Sequence, residues 1–107
     1  MSAQTTHIIA NADHVTLINV FTVEPKNQDR LVAMLVEATD AVMKNIPGFI
    51  SANIHKSADG VRVANYAQWR SAKDFEAMLK NPDAQEHMAS INDFATHIYG
   101  VVDVYHV

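Results

Sequence analysis

Three features of the sequence predict an α+β domain of β-α-β-β-α-β order. Runs rich in β-branched and aromatic residues alternate with runs of helical periodicity. Turn and cap residues punctuate the boundaries between them. The outer runs, with Leu17, Ile18, Val20 and Phe21 in the first and Val101, Val102 and Val104 in the last, are apolar on both faces. That order is the ferredoxin-like split βαβ pattern, a four-stranded antiparallel sheet with helices on one face. A sheet apolar on both sides needs a second covering layer, and another copy of the same sheet supplies it, so a homodimer is expected.

Each element has its own local signature. Residues Met1 to Asp13 are polar apart from Ile8-Ile9-Ala10 and are expected to form a flexible arm, or a segment that docks on a partner subunit, with the folded domain spanning 14–107. Val15 to Val23 reads as the first strand. Glu24-Pro25-Lys26-Asn27 stops it; Asn27 is a candidate cap, and Asp29 complements the dipole of the helix beyond it. Leu31, Leu35, Ala38 and Val42 recur at helical spacing, and Ile46-Pro47-Gly48 ends the helix. Phe49 to His55 and Val61 to Trp69 are strands joined by Ser57-Ala58-Asp59-Gly60, whose Asp-Gly pair suits a tight hairpin. Ser71-Ala72-Lys73-Asp74 opens a second helix as a capping box, with Phe75, Met78 and Leu79 on its apolar side. Asn81-Pro82 starts a further helix running to about Ile91 or Phe94. His97 to Val107 is the last strand.

Composition excludes several classes of function. The chain has 107 residues, enough for one domain, and 49% of them are hydrophobic, which argues against disorder. A net charge of −4 with no basic stripe gives no footprint for nucleic acid or an anionic membrane surface. Without cysteine there are no disulfides, thiolate metal sites or thiol nucleophiles. No apolar run is long enough to span a membrane and no signal peptide is evident, so a cytoplasmic protein is expected. No histidine pair stands at helical i, i+4 spacing and no glycine-rich phosphate loop exists, so no metal site is expected.

The third strand holds the candidate site. Alternation places Val61, Val63, Asn65, Ala67 and Trp69 on one face and Tyr66 and Gln68 on the other. Asn65 and Trp69 thus flank the small Ala67, and both carry polar hydrogens that a buried position must satisfy. From spacing alone, an asparagine bonded to a neighbouring loop and an ordinary core tryptophan are the favoured explanation of the pattern.

The segment Asn65-Tyr66-Ala67-Gln68-Trp69-Arg70-Ser71 resembles the hallmark stretch of the antibiotic biosynthesis monooxygenase family. So does Ile46-Pro47-Gly48-Phe49 between the first helix and the second strand, and the element order matches from about Val15 to Val107. The resemblance implies a homodimeric α+β barrel. It also implies an oxygenase that converts anthrone- or quinol-like aromatic substrates with molecular oxygen and without metal, flavin or haem. It assigns substrate contact or stabilisation of the oxygenated intermediate to Asn65 and Trp69, and a supporting role to His55 on the preceding strand. A tyrosine that contributes in some members is replaced here by Phe75. In such a reaction a phenolic, acidic C–H loses its proton, with His55 or His87 as candidate carriers.

Some proteins of the same fold degrade haem with an asparagine on the first strand, a tryptophan on the second helix and a ligating histidine. Asn19 and His87 stand at the matching places, but Met78 stands where the tryptophan would be. Haem binding is therefore the alternative function, beside a small-ligand-binding or isomerase member without oxygenase activity. Asn19, Phe75, Met78 and His87 are the expected substrate-binding residues.

Overall fold

The computed structural model describes residues 5–8 and 14–99. Its sheet has the order β2-β3-β1-β4. Three strands carry most of it: β1 (Val15–Thr22), β2 (Phe49–Lys56) and β3 (Arg62–Trp69). β1 and β3 are antiparallel and laddered along their whole length, from Val15 opposite Trp69 to Thr22 opposite Arg62. The fourth strand, β4 (Thr96–Tyr99), is short and joins the free edge of β1 with a register shift at Val20/Phe21. Most of the expected last strand, beyond Tyr99, lies outside the described residues.

Three helices connect the strands. α1 (Gln28–Ala41) buries Leu31, Leu35 and Ala38, the stripe its periodicity predicts. Asn27 precedes it but makes no side-chain cap bond. A 3-10 turn, Pro25–Asn27, leads into the helix instead: the Asn27 N–H donates to the Glu24 carbonyl, and the Gln28 N–H to that of Pro25. The other two caps form as expected. The Ser71 hydroxyl accepts from the Asp74 N–H at 3.1 Å to open α2 (Ala72–Leu79). The Asn81 side chain accepts from the N–H groups of Asp83 and Ala84 at 2.9 and 3.0 Å to open α3 (Pro82–Phe94).

Register decides which residues share a face. Val15, Leu17, Asn19 and Phe21 of β1 stand opposite Trp69, Ala67, Asn65 and Val63 of β3. These two rows carry the strands' share of the core and face the helices. Thr16, Ile18 and Val20, with Ala64, Tyr66 and Gln68, take the outer face. On β2 a register shift between Phe49 and Ser51 puts Ser51, Asn53 and His55 on that outer face as well. Ile18 there is 40% exposed.

The arm residues described, 5–8, lie along this outer face. The Thr6 hydroxyl donates to Asn53 Oδ1, and Gln68 Nε2 donates to the His7 carbonyl at 3.0 Å. Gln68 is buried, and its Oε1 accepts from the Ser51 hydroxyl at 2.7 Å.

A clamp ties the two loops at the Trp69 end of the sheet. Gly48 has φ +92°, and a Cβ there would lie 2.4 Å from Asp74 Cβ. Its carbonyl accepts from the Arg70 N–H at 2.7 Å. Arg70 in turn grips Asp74 with two parallel hydrogen bonds of 2.9 Å, and the Ser71 hydroxyl donates a third at 2.7 Å. The guanidinium and then the hydroxyl hold the Asp74 carboxyl below its ordinary value.

The clamp has two measurable consequences. Gly48→Ala forces a side chain into left-handed backbone against Asp74, and should lower the unfolding free energy by about 2 kcal/mol or more in denaturant titration. A depressed carboxylate stabilises above its unfolded-state pKa of about 4 and loses that contribution as pH falls through its folded value. Wild-type stability should therefore decline in that acid window, and the decline should be shallower for Asp74→Asn.

Candidate active site

The core is split in two. One cluster gathers Phe21, Leu31, Leu35, Val63 and Ile91 with their neighbours. The other gathers Val15, Leu17, Ala67, Trp69, Met78 and Ala84. The row between them on the sheet is Asn19 opposite Asn65. Two polar side chains there cannot extend either cluster, and a cavity of about 360 Å³ opens above them.

The strands supply its floor: Leu17, Asn19 and Phe21 from β1, and Asn65, Ala67 and Trp69 from β3, flanked by Phe49 and Ala52 of β2. Its remaining walls are helical, from Leu35, Ala38 and Thr39 of α1, from Phe75, Met78 and Leu79 of α2, and from Met88, Ile91 and Asn92 of α3. Met43, in the turn after α1, completes the lining.

Trp69 is 2% exposed and sits between two other rings. Its centroid is 5.5 Å from that of Phe49 at 84° and 6.4 Å from that of Phe75 at 61°, both edge-to-face. The clamp behind it fixes Phe49 and Trp69 together, because Gly48 and Arg70 are their chain neighbours. Three aromatic walls and three methionine side chains suit a flat aromatic guest.

Asn65 carries the sharpest signal. Its Oδ1 is buried and has no hydrogen-bond partner among the described residues. A buried acceptor left unmade costs about 1–3 kcal/mol, so such an atom in a cavity floor is a place for a ligand donor.

The expected site residues separate into two groups. Asn19, Asn65, Trp69, Phe75 and Met78 converge on this cavity. His55 does not: it pairs with Ala64 and is exposed on the opposite face of the sheet. The alternation that puts Asn65 inside puts a residue paired with its neighbour outside. His87 does not line the cavity either. Met88, Ile91 and Asn92 form the cavity-facing arc of α3, and helical spacing of about 100° per residue sets His87 on the flank away from Asn92. Thr39 and Asn92 also line the cavity, and the sequence does not single them out; each is one polar position beside an apolar helical stripe, which is ordinary for a surface helix.

None of the described lining residues is an aspartate, glutamate, histidine, lysine, arginine or tyrosine. Among the described residues no three histidine or acidic side chains gather as a metal set, and no helix is long and apolar enough to cross a membrane.

Residues 14–90 match the family model for antibiotic biosynthesis monooxygenase. The chain belongs to that family. It is 48% identical over 80 residues to the tetracenomycin-F1 monooxygenase of Streptomyces glaucescens, covering 75% of this chain and 71% of that one. Its fold matches SnoaB, a cofactor-independent oxygenase from Streptomyces nogalater, in an asparagine-to-alanine variant, with TM-score 0.67 and 26% identity over 80% of this chain and 87% of that one. It also matches a monooxygenase from the ActVA-Orf6 gene of Streptomyces coelicolor, solved with the ligand nanaomycin D. There the TM-score is 0.68 and the identity 27%, over 87% of this chain and 80% of that one.

The unpartnered acceptor makes a stability prediction. Asn65→Leu removes a buried unsatisfied group and fills the split core. It should raise the unfolding free energy by about 1–3 kcal/mol in thermal or denaturant unfolding. A net loss of stability would mean that Asn65 is satisfied within the fold.

Proposed function

We propose that this protein is a cofactor-independent monooxygenase that uses molecular oxygen to convert an anthrone- or quinol-like aromatic to a quinone. The single observation that carries this reading is the cavity itself: an aromatic-walled space whose floor presents an unpartnered asparagine acceptor and whose described lining residues carry no ionisable side chain. Kinship with a monooxygenase at 48% identity and with a cofactor-independent oxygenase supports it.

The reaction balances without a cofactor. The acidic methylene of an anthrone loses a proton, leaving a carbanion delocalised over the ring system and its carbonyl. The anion passes one electron to oxygen, and the resulting radical and superoxide join in a new C–O bond. The peroxide takes up a proton, the second methylene hydrogen leaves as a proton, the O–O bond breaks, and the products are a quinone carbonyl and water. One oxygen atom ends in each product.

The protein's part is to bind, desolvate and orient. Phe49, Trp69 and Phe75 hold the ring system. Asn65, with Asn19 opposite, takes a phenolic hydrogen or, through its amide N–H, supports the enolate oxygen. The Trp69 indole offers a second neutral donor in a site shielded from water. With no base among the described lining residues, the substrate ionises in solution, its proton passing to water, and the cavity takes up the anion. His55 and His87 take no part in the proton transfer.

The protein works as a homodimer in this proposal. Ile18, Val20, Ala64 and Tyr66 make the outer sheet face, and a second copy would cover it. His55 would then lie at the subunit interface rather than in the cavity. Haem binding finds less support, because the histidine it requires stands off the cavity and Met78 lies in it.

Oxygen uptake with dithranol, above the uncatalysed rate, tests the proposal. Asn65→Ala and Trp69→Phe should each lower kcat/KM by about tenfold or more. His55→Ala and His87→Ala should leave it within about twofold. The pH profile should follow the acidity of the substrate and shift when a more acidic anthrone is used. A profile fixed across substrates and abolished in either histidine variant would refute the base-free mechanism.

A further inference from the structure

The cavity has a second polar group of side chains, on the helices and away from its asparagine floor. Thr39 on α1 and Asn92 on α3 are its only polar lining residues outside the sheet among the described residues. Asn92 is exposed and also borders a more open polar depression shared with Lys26 and Asn27, so it stands at the rim. Thr39 is half-buried, and its hydroxyl donates to the Leu35 carbonyl at 2.9 Å. That proton is committed, so toward the cavity the Thr39 oxygen is an acceptor. The Asn92 amide offers both a donor and an acceptor.

We propose that Thr39 and Asn92 are specificity-determining residues that select substrates carrying a hydroxyl at the edge remote from the asparagine floor. A hydroxyl suits this pair because it donates to Thr39 and accepts from Asn92. A carbonyl satisfies Asn92 alone, and an unsubstituted ring edge satisfies neither. The substrate class is thereby narrowed to flat aromatics hydroxylated at both ends, one end read by Asn65 and the other by Thr39 and Asn92. This inference rests on the oxygenase reading of the same cavity.

Binding can be measured apart from turnover. Trp69 is the chain's one tryptophan and lines the cavity, so its fluorescence reports occupancy. The probes are anthraquinone, its monohydroxy derivative and the dihydroxy derivative with one hydroxyl at each end of the long axis, at mildly acidic pH where the phenols are protonated. Wild-type protein should bind them in rising order, each hydroxyl adding roughly fivefold in affinity. In the Thr39→Val/Asn92→Leu double variant the dihydroxy compound should bind no better than the monohydroxy one, with the other two affinities unchanged. Thr39→Ser in place of the valine, with Asn92 intact, should retain the full preference.

If wild type binds the series and the double variant keeps the same preference, Thr39 and Asn92 do not read the substrate, and this inference fails alone. It also fails alone if wild type binds the monohydroxy and dihydroxy compounds equally. If wild type binds none of the three, the aromatic oxygenase reading fails and takes this inference with it.

Discussion

The pairing of β1 with β3 is the constraint on which the rest of the structure depends. With Val15 set opposite Trp69, every second position of both strands is committed to the helix side, and Asn19 must meet Asn65. Slipping β1 by one residue along the ladder would expose Leu17 and Phe21 and bury Thr16 and Thr22, so burial of the apolar row enforces the register. The asparagine row is carried along by that register. It interrupts what would otherwise be one core, and the interruption is the cavity. Stability and site thus come from the same ladder: apolar rows on either side provide the first, and the polar row between them provides the second.

A second constraint acts at the end of the sheet. Trp69 is the last residue of β3, where strand geometry alone would hold it loosely. The next turn of chain steadies it. Arg70 returns a backbone hydrogen bond to Gly48 and closes a bidentate pair with Asp74, and Asp74 occupies the space that a side chain at position 48 would need. The Pro47-Gly48-Phe49 and Trp69-Arg70-Ser71 segments are therefore two halves of one device. The glycine is required by backbone conformation and close approach, and the aromatic on each side of the clamp is delivered to the cavity wall.

The element order is legible in the sequence because each element has local causes. Leu31, Leu35 and Ala38 repeat at helical spacing, Ser71 and Asn81 cap as their side chains allow, and the alternation of β3 separates Asn65 from Tyr66. Asn27 has the side chain of a cap but does not act as one, because a 3-10 turn ahead of it already provides the carbonyls that the entering N–H groups need. The inward face of β3 is legible for the same reason as its alternation. The placement of His55 is not, because a bulge between Phe49 and Ser51 resets which residues of β2 face inward, and nothing in the composition of that strand announces it. Thr39 and Asn92 are invisible for a different reason. Their chemistry depends on two helices meeting over one cavity, and neither helix encodes the other's position.

The neutral character of the lining gives the proposed chemistry its physical logic. A fixed cation beside the substrate would favour its anion strongly, but it would also localise the charge and make the electron harder to remove. Oxygen accepts that electron only from an anion that remains electron-rich. Amide and indole donors in a largely apolar cavity would strike the needed balance: they stabilise a delocalised anion enough for it to form, yet leave its charge spread over the rings. The lack of histidine and lysine among the described lining residues is then as much a part of the candidate site as the asparagines and the tryptophan. A basic residue introduced at Met78 or Met88 would deepen substrate binding while slowing electron transfer, separating affinity from turnover in a way that loss of Asn65 would not.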